Sequence, residues 1–493
     1  MIRRLRELIS RDDRRRWIAL VVVCFGQLMI VLDSTIVNVA LPSIQKDLGF
    51  GQADLTWVVN AYAISYGGFV LLAGRLGDLW GRKRVFLAGV LLFTLASVVC
   101  GLSPAPGALV AARFAQGLGS ALSAGVIIAI IVTGFPAAQE RAQAMSVFSF
   151  TIAGGGSLGL LAGGFLTQAI SWHWIFFVNL PIGLATLLAG AAWIEDDAGA
   201  GFDQGVDVGG SLLVTSALVL GVYAIVTAAG FGWLSGHTLG FGGAAALLLA
   251  GFFWVESRRR NAIVPLRILR IGSLMGASGA RVLIAVAMFS TFFLGSLYLQ
   301  QVRGFSSLGT GVAFLPFTAG LGALSLGITV RLVARFGTFA VLVAGLLCVI
   351  AALLMHSSIQ PDTPYFPRLF VTYALFGLGA GLAFMPLTLL AMAEVPAGDA
   401  GLAAGITNFS LQLGAALGLA VLGTIASQHS RSLLEDGAAV APALTSGFQL
   451  AFAIAAALAA GSLLVVLMSL RPRGPRLTVA VDQEGSVEFQ EAA

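Results

Sequence analysis

Charge is what this chain has least of. Asp, Glu, Lys and Arg together make up 10% of its 493 residues against 58% apolar ones, and the mean hydropathy is +0.94. So little polar surface cannot cover a water-soluble globule of this length. Strict alternation of apolar and polar residues is missing as well. Apolar residues come instead in continuous blocks of about 20, each able to cross a hydrocarbon core of roughly 30 Å as a helix, which excludes a β-barrel. Cysteine is scarce: Cys24, Cys100 and Cys348 each fall inside an apolar run, with neither a disulfide framework nor a zinc-ligand spacing. The four histidines, His173 and His237 in connectors and His356 and His429 at the ends of apolar runs, read as solvated and suggest no metal site. There is no GxxxxGK[ST] loop, no Ser/His pairing and no pair of carboxylates at catalytic spacing, so the sequence points to neither an ATP-driven machine nor an enzyme, and calls for no cofactor.

What is present is an all-α integral membrane protein. Candidate spans fall at about 17–39, 54–73, 84–102, 107–133, 141–168, 172–194, 205–229, 238–255, 275–300, 308–330, 337–356, 366–393, 400–426 and 444–470. The first lacks a small-residue cleavage site and reads as a retained helix. An even number of spans puts both termini on one side, and the basic residues say which. With the termini in the cytoplasm, 22 of the 28 Lys and Arg lie in cytoplasmic segments. The pI near 9.4 is therefore a topology signal and no sign of nucleic acid.

The body reads as duplicated. "GGSLGLLAGG" (155–164) recurs as "GAALGLAVLG" (414–423), and "GRLGDLWGRKRVFLAG" (74–89) lines up with "VRLVARFGTFAVLVAG" (330–345), at offsets of 259 and 256 residues. This divides the chain into a basic cytoplasmic N-terminus (1–16), a six-helix bundle (17–194), a linker carrying two extra spans (195–274), a second six-helix bundle (275–470) and an acidic tail read as disordered (471–493).

The chain resembles the fourteen-span drug:proton antiporter branch of the major facilitator superfamily. The resemblance rests on "LDSTIVNVALPSI" (32–44), "GRLGDLWGRKR" (74–84), "RFAQGLGSA" (113–121), "WHWIFFVNLPIG" (172–183), "YLQQVRGFSSLGTGVAFLP" (298–316) and "GLGAGLAFMPL" (377–387), in order and at matching topological positions. It implies an inner-membrane transporter, functional as a monomer, that exchanges protons for lipophilic or amphipathic small molecules. Two other readings fit the same residues: an exporter of one endogenous metabolite or lipid, and a non-transporting sensor or scaffold on the same fold.

The residues can also be read physically. Asp33 sits about 13 Å along the first span from Pro42, where an acid costs about 2.5–3.5 kcal/mol and is by default a functional candidate for loading and releasing a proton. Arg113 enters the fourth span about 9 Å, a similar depth, so the two can pair; the resemblance gives this motif a role in proton coupling. Gln116 follows on the same helix face, and Asn408 and Gln412 share one face of the thirteenth span, all three as candidate cavity lining. Arg281 lies in the first turns of the ninth span and reads as snorkelling to the cytoplasmic surface. Gly155, Gly159, Gly163 and Gly164 put small residues along the fifth span for close helix packing, and resemble the family's antiporter motif with Leu160 in place of its usual proline.

The connector at 74–85 concentrates charge where the rest of the chain has little. Gly74 and Gly81 permit a sharp turn, and Arg75, Arg82, Lys83 and Arg84 hold it inside. Topology does not explain Asp78 among them, nor its loss to Ala334 in the second copy. An asymmetric cluster at the inner mouth suits a conformational latch, the role that the resemblance also implies. The orientation is testable: a reporter that fluoresces only in the cytosol should be bright when fused at either terminus and dark when inserted at Leu234, between the two extra spans.

Overall fold

A computed structural model describes residues 2–51, 54–136, 138–197, 199, 208–258, 267–324, 328–396, 400–470, 477–481 and 487–491. The chain runs through α1 (Ile2–Leu48), α2 (Trp57–Trp80), α3 (Arg82–Gly101), α4 (Pro106–Gly134), α5 (Ala138–Ala169), α6 (Trp174–Phe177), α7 (Asn179–Trp193), α8 (Val208–Phe231) and α9 (Gly236–Arg258). It continues with α10 (Gly272–Leu297), α11 (Ser307–Ala313), α12 (Leu315–Ala323), α13 (Thr329–Phe336), α14 (Thr338–His356), α15 (Phe370–Met392), α16 (Ala400–Glu435) and α17 (Val440–Ser469). Among the described residues ten helices are long and apolar enough to cross a membrane, and eleven if the pair Asp54–Val70 and Leu72–Trp80, bent by 48°, is one span. The other three expected spans coincide with the shorter apolar helices Leu158–Ala169, Leu212–Ala228 and Ser307–Ala323.

The ends depart from the sequence reading. The basic N-terminus is drawn as the first turns of α1, since its Arg, Glu and Leu are good helix formers and no glycine or proline interrupts them. The acidic tail, read as disordered, contains two antiparallel strands, β1 (Leu477–Val481) and β2 (Val487–Glu491), with Leu477 opposite Glu491. Thr478, Val479, Val481, Val487 and Phe489 are residues that favour extended backbone. The tenth expected span is broken: α11 starts behind Ser306, whose Oγ accepts the Gly309 N–H at 3.0 Å, and Pro316 opens α12, where a missing N–H costs nothing.

Glycines set how closely the helices approach, and they do so twice. In the first part of the chain α4 packs between α2 and α3: a Cβ at Gly117 would lie 2.3 Å from the Tyr62 carbonyl oxygen, and one at Gly119 would lie 2.5 Å from the Phe93 nitrogen. In the second part α15 packs between α12 and α14 through Gly377 and Gly379, whose Cβ atoms would lie 2.0 Å from the Phe317 oxygen and 2.7 Å from the Val349 nitrogen. The α1–α5 contact, with Gly159 on the Leu32 carbonyl, likewise recurs between α10 and α16, with Gly418 on that of Val286. No other residue fits these approaches. Gly81 and Gly337, at φ 101° and 85°, turn the two corresponding connectors.

The two groups of helices share an apolar cluster at one end and touch again along α2 and α16, where Ile64 and Gly67 lie against Ala416 and Gln412. At the end opposite Arg16, Arg82 and Lys83, a single apolar cluster joins Ile36, Val37 and Leu160 to Val286, Phe293 and Phe314. At the basic end the clusters are separate, one around Val23, Phe86 and Ile131 and another around Leu274, Leu346 and Ala403. Polar contacts reinforce the distal seam: Ser296 Oγ donates to the Asn38 carbonyl at 2.8 Å, Gln300 Nε2 to that of Val39 at 2.9 Å and Gln301 Nε2 to Gln45 Oε1 at 3.0 Å. Helix α8 packs on both groups along the α2–α16 seam, with Val222 and Val226 clustered against Ile64 and Ala416. A Cβ at Gly164 would meet the Ser307 carbonyl oxygen at 2.7 Å across the distal seam, and overpacking of this kind costs about 1–3 kcal/mol. Gly164→Leu should therefore pry the seam open, so that a cysteine placed at Gln300 is labelled by a membrane-impermeant maleimide roughly tenfold faster than in the parent background.

Candidate functional site

Five helices of the first group converge on Asp33. Its side chain is 0% exposed, and Arg113 beside it is 1% exposed. Arg113 Nη1 donates to Asp33 Oδ2 at 2.5 Å and to Gln116 Oε1 at 2.7 Å, while its Nε donates to the Val58 carbonyl at 2.9 Å. The other carboxylate oxygen accepts from Gln116 Nε2 at 2.8 Å and from Asn179 Nδ2 at 3.2 Å. Ser97 Oγ accepts from Gln116 Nε2 at 2.8 Å, and the guanidinium lies over the Tyr62 ring, 4.4 Å from its centroid. Tyr62 is held in turn by a 2.8 Å hydrogen bond with Ser120.

The arrangement has a clear electrostatic sense. Burying two ions costs several kcal/mol each, and their attraction offsets this only when the remaining donors and acceptors are also satisfied. Here Asp33 is met by donors alone, the environment of an ionised carboxylate. A proton arriving at Asp33 turns an acceptor into a donor, removes the attraction to Arg113 and leaves a buried cation on neutral oxygens.

Asp33 and Arg113 meet as their depths in the sequence predict. Gln116 belongs to the same network but, at 0% exposed, lines no cavity, because both ends of its amide are committed to Asp33, Arg113 and Ser97. Asn408 and Gln412 lie elsewhere, against the Tyr66 hydroxyl, with Gln412 packed on Gly67 across the α2–α16 seam. Asn179 and Ser97 are participants that the sequence reading missed. The break between α6 and α7 beside Asn179, two residues before Pro181, was the available signal; Ser97 in a Leu- and Val-rich helix gives none. His356, read as solvated, is 1% exposed between Tyr373 and Phe452, because α14 runs on to the last turn that faces α17.

The charged connector docks onto the segment after α7. Asp197 accepts the backbone N–H groups of Arg82 at 2.7 Å and Lys83 at 3.3 Å, capping the N-terminus of α3. Lys83 Nζ lies 3.0 Å from Asp196, and this ammonium holds the exposed Asp196 carboxyl below its ordinary value, so the pair persists above that range and is lost as pH falls through it. Asp78, exposed, reaches Arg82 at 3.4 Å within the connector itself. Gly81 is required where it stands: a Cβ there would lie 2.5 Å from the Asp197 carbonyl oxygen. Gly74 and Arg75 are half-buried and Arg84 is exposed. The ion pairs described here stay within the first group of helices and do not cross to the second.

The four glycines of α5 face two partners. Gly155, Gly159 and Gly163 lie on Val31, Leu32 and Ile36 of α1, whereas Gly164 lies on Ser307 and Leu308 of the second group. Leu160, in the place of the family's proline, is buried at the distal seam, with its carbonyl against Gly311.

Residues 23–419 match the family model described as Major Facilitator Superfamily. The chain belongs to that superfamily. It is a multi-pass membrane transporter and not an enzyme. It is 36% identical over 482 residues to the puromycin resistance protein pur8 of Streptomyces alboniger, covering 97% of this chain and 95% of that one. It is 33% identical over 425 residues to the tetracenomycin C resistance and export protein of Streptomyces glaucescens, covering 86% and 78%. An auto-inhibited peptide transporter of the POT family superposes with a TM-score of 0.67 over 96% of this chain and 100% of that one at 15% identity, a likeness of fold.

The buried pair gives a double-mutant test. Arg113→Gln strands a carboxylate and should cost about 3–5 kcal/mol, seen as a large fall in the thermal unfolding midpoint of detergent-solubilised protein at pH 7. Adding Asp33→Asn should recover part of that loss; a double variant less stable than Arg113→Gln alone contradicts the pairing.

Proposed function

We propose that this transporter is a proton-driven exporter of lipophilic or amphipathic small molecules, antibiotics among them, from the cytosol across the plasma membrane. Fourteen spans cross the bilayer with both termini cytoplasmic, as two six-helix bundles (17–194 and 275–470) around which the helices of 195–274 are packed, and a single copy suffices. The observation that carries the reading is Asp33, fully buried and met only by donors, one helix turn from the seam residue Ile36.

In this reading the basic end is the cytoplasmic one, and the chain stands open to the cytosol with the outer seam closed and Asp33 ionised. Substrate enters between the bundles at the basic end. When the bundles rock and the outer seam parts, Asp33 gains a proton from outside and its hold on Arg113 is lost, which favours substrate release and return. Re-formation of the Asp33–Arg113 pair as the seam closes expels that proton to the cytosol. The driving force is adequate, since one charge moving through 100 mV is worth roughly 2.3 kcal/mol before any pH gradient is counted. The connector at Arg75, Asp78 and Arg82–Arg84, capped by Asp197, is the latch at the inner mouth, engaging the second bundle when that mouth closes. Relatives named for resistance and export support the direction and the substrate class.

The decisive measurement is quenching of a pH-sensitive dye in everted vesicles. Lipophilic antibiotics should provoke proton release in the parent protein, and Asp33→Asn should reduce it at least about tenfold, while Asp33→Glu keeps part of it. Transport by Asp33→Asn at the parental rate, or transport indifferent to the proton gradient, would overturn the coupling.

A further inference from the structure

Arg281 does not snorkel. It lies in the third turn of α10, only 8% exposed, and its Nη2 donates to Thr388 Oγ1 on α15 at 2.6 Å. Its Nε has no hydrogen-bond partner, and neither does the Oγ of Ser278, 4% exposed one turn earlier on the same face. Among the described residues no carboxylate pairs with this guanidinium. The contrast with Arg113 is sharp: that buried cation has Asp33, Gln116 and the Val58 carbonyl, whereas Arg281 has one hydroxyl. A permanent charge kept in a span without its counter-charge is costly and marks a place where an anion is bound.

The surroundings say what kind of anion. Thr388 is exposed, so the cluster has an opening. Away from the basic end, Ile284 and Met288 continue the Arg281 face of α10, and Phe384, Ala380 and Phe376 continue the Thr388 face of α15; these five residues, with Val349 of α14, pack around a narrow apolar crevice of about 10 Å³. A charged head is thus followed by a strip of apolar side chains running the same way along two antiparallel helices.

We propose that Arg281, Ser278 and Thr388 form the head-group site for an amphiphilic anion, a phosphate or carboxylate carrying an alkyl or aromatic tail, with the tail along Ile284, Met288 and Phe384. The inference deepens the export reading by adding tailed anions to the compounds handled, and rests on it only for the step of transport.

The test is binding without a proton gradient. The full-length protein in nanodiscs of neutral phosphatidylcholine is titrated with dodecyl phosphate, dodecanol and dodecyltrimethylammonium, followed by intrinsic tryptophan fluorescence and calorimetry. Dodecyl phosphate should bind most tightly. Arg281→Gln should weaken it roughly tenfold or more and dodecanol less than about twofold, with Arg281→Lys intermediate. Thr388→Val, which removes a hydroxyl and no charge, should weaken the phosphate by a smaller factor and serves if Arg281 variants fold poorly. Lipid mass spectrometry of protein purified from phosphatidylglycerol-containing membranes identifies the source: co-purification lost in Arg281→Gln marks a membrane lipid, and its absence beside tight dodecyl phosphate binding marks a soluble amphiphile; both support the site. Equal affinity for all three probes, or equal weakening of all three by Arg281→Gln, overturns it. Failure of the parent chain to move any lipophilic or amphipathic compound would overturn export and leave the anion selectivity standing.

Discussion

A carboxylate and a guanidinium sealed from solvent in an apolar helix bundle need every neighbour they have. Asp33 and Arg113 are kept by groups from α1, α2, α3, α4 and α7, so the ion pair fixes how these helices are rotated about one another. Rotating α4 by one residue would withdraw both Arg113 and Gln116 and expose the full desolvation cost of Asp33.

Small residues make each group of helices tight. Helices in contact through backbone at Gly117, Gly119, Gly377 and Gly379 leave few side chains between them to repack. Between the groups the balance differs from end to end. The distal seam combines an apolar cluster with a few hydrogen bonds to carbonyls, and at the basic end the apolar clusters of the two groups are separate. Helix α8 spans the seam through short aliphatic side chains, a surface on which α2 and α16 can slide.

Legibility followed physical cost. A lone acid and a lone arginine at matched depth in two apolar runs stand out because each is expensive alone, and their pairing needed only the helical rise of about 1.5 Å per residue. Neutral polar groups carry a smaller penalty and leave a fainter trace: Ser97 and Asn179 are recognisable as parts of the site only once Asp33 is seen between them. Gln116 was misjudged because helix periodicity gives a face without saying whether that face meets a cavity or another side chain. His356 and Arg281 were misjudged for a related reason. Position near the end of a span suggests access to water, but α15 and α17 close that route for the first, and α15 covers the second except at the exposed Thr388.

Composition and periodicity by themselves determined that this chain lies in a membrane as helices and which few charged residues had to find partners, because in hydrocarbon an unpaired backbone group or charge carries a free-energy cost that no local rearrangement removes. The tertiary structure alone decided which donors surround Asp33, that Asp197 caps the connector, that Arg281 meets no acid among the described residues, and which end of the molecule is closed. Those outcomes depend on how helices rotate and approach one another, and that is set by contacts between residues 80 to 261 positions apart, far beyond the reach of any local pattern.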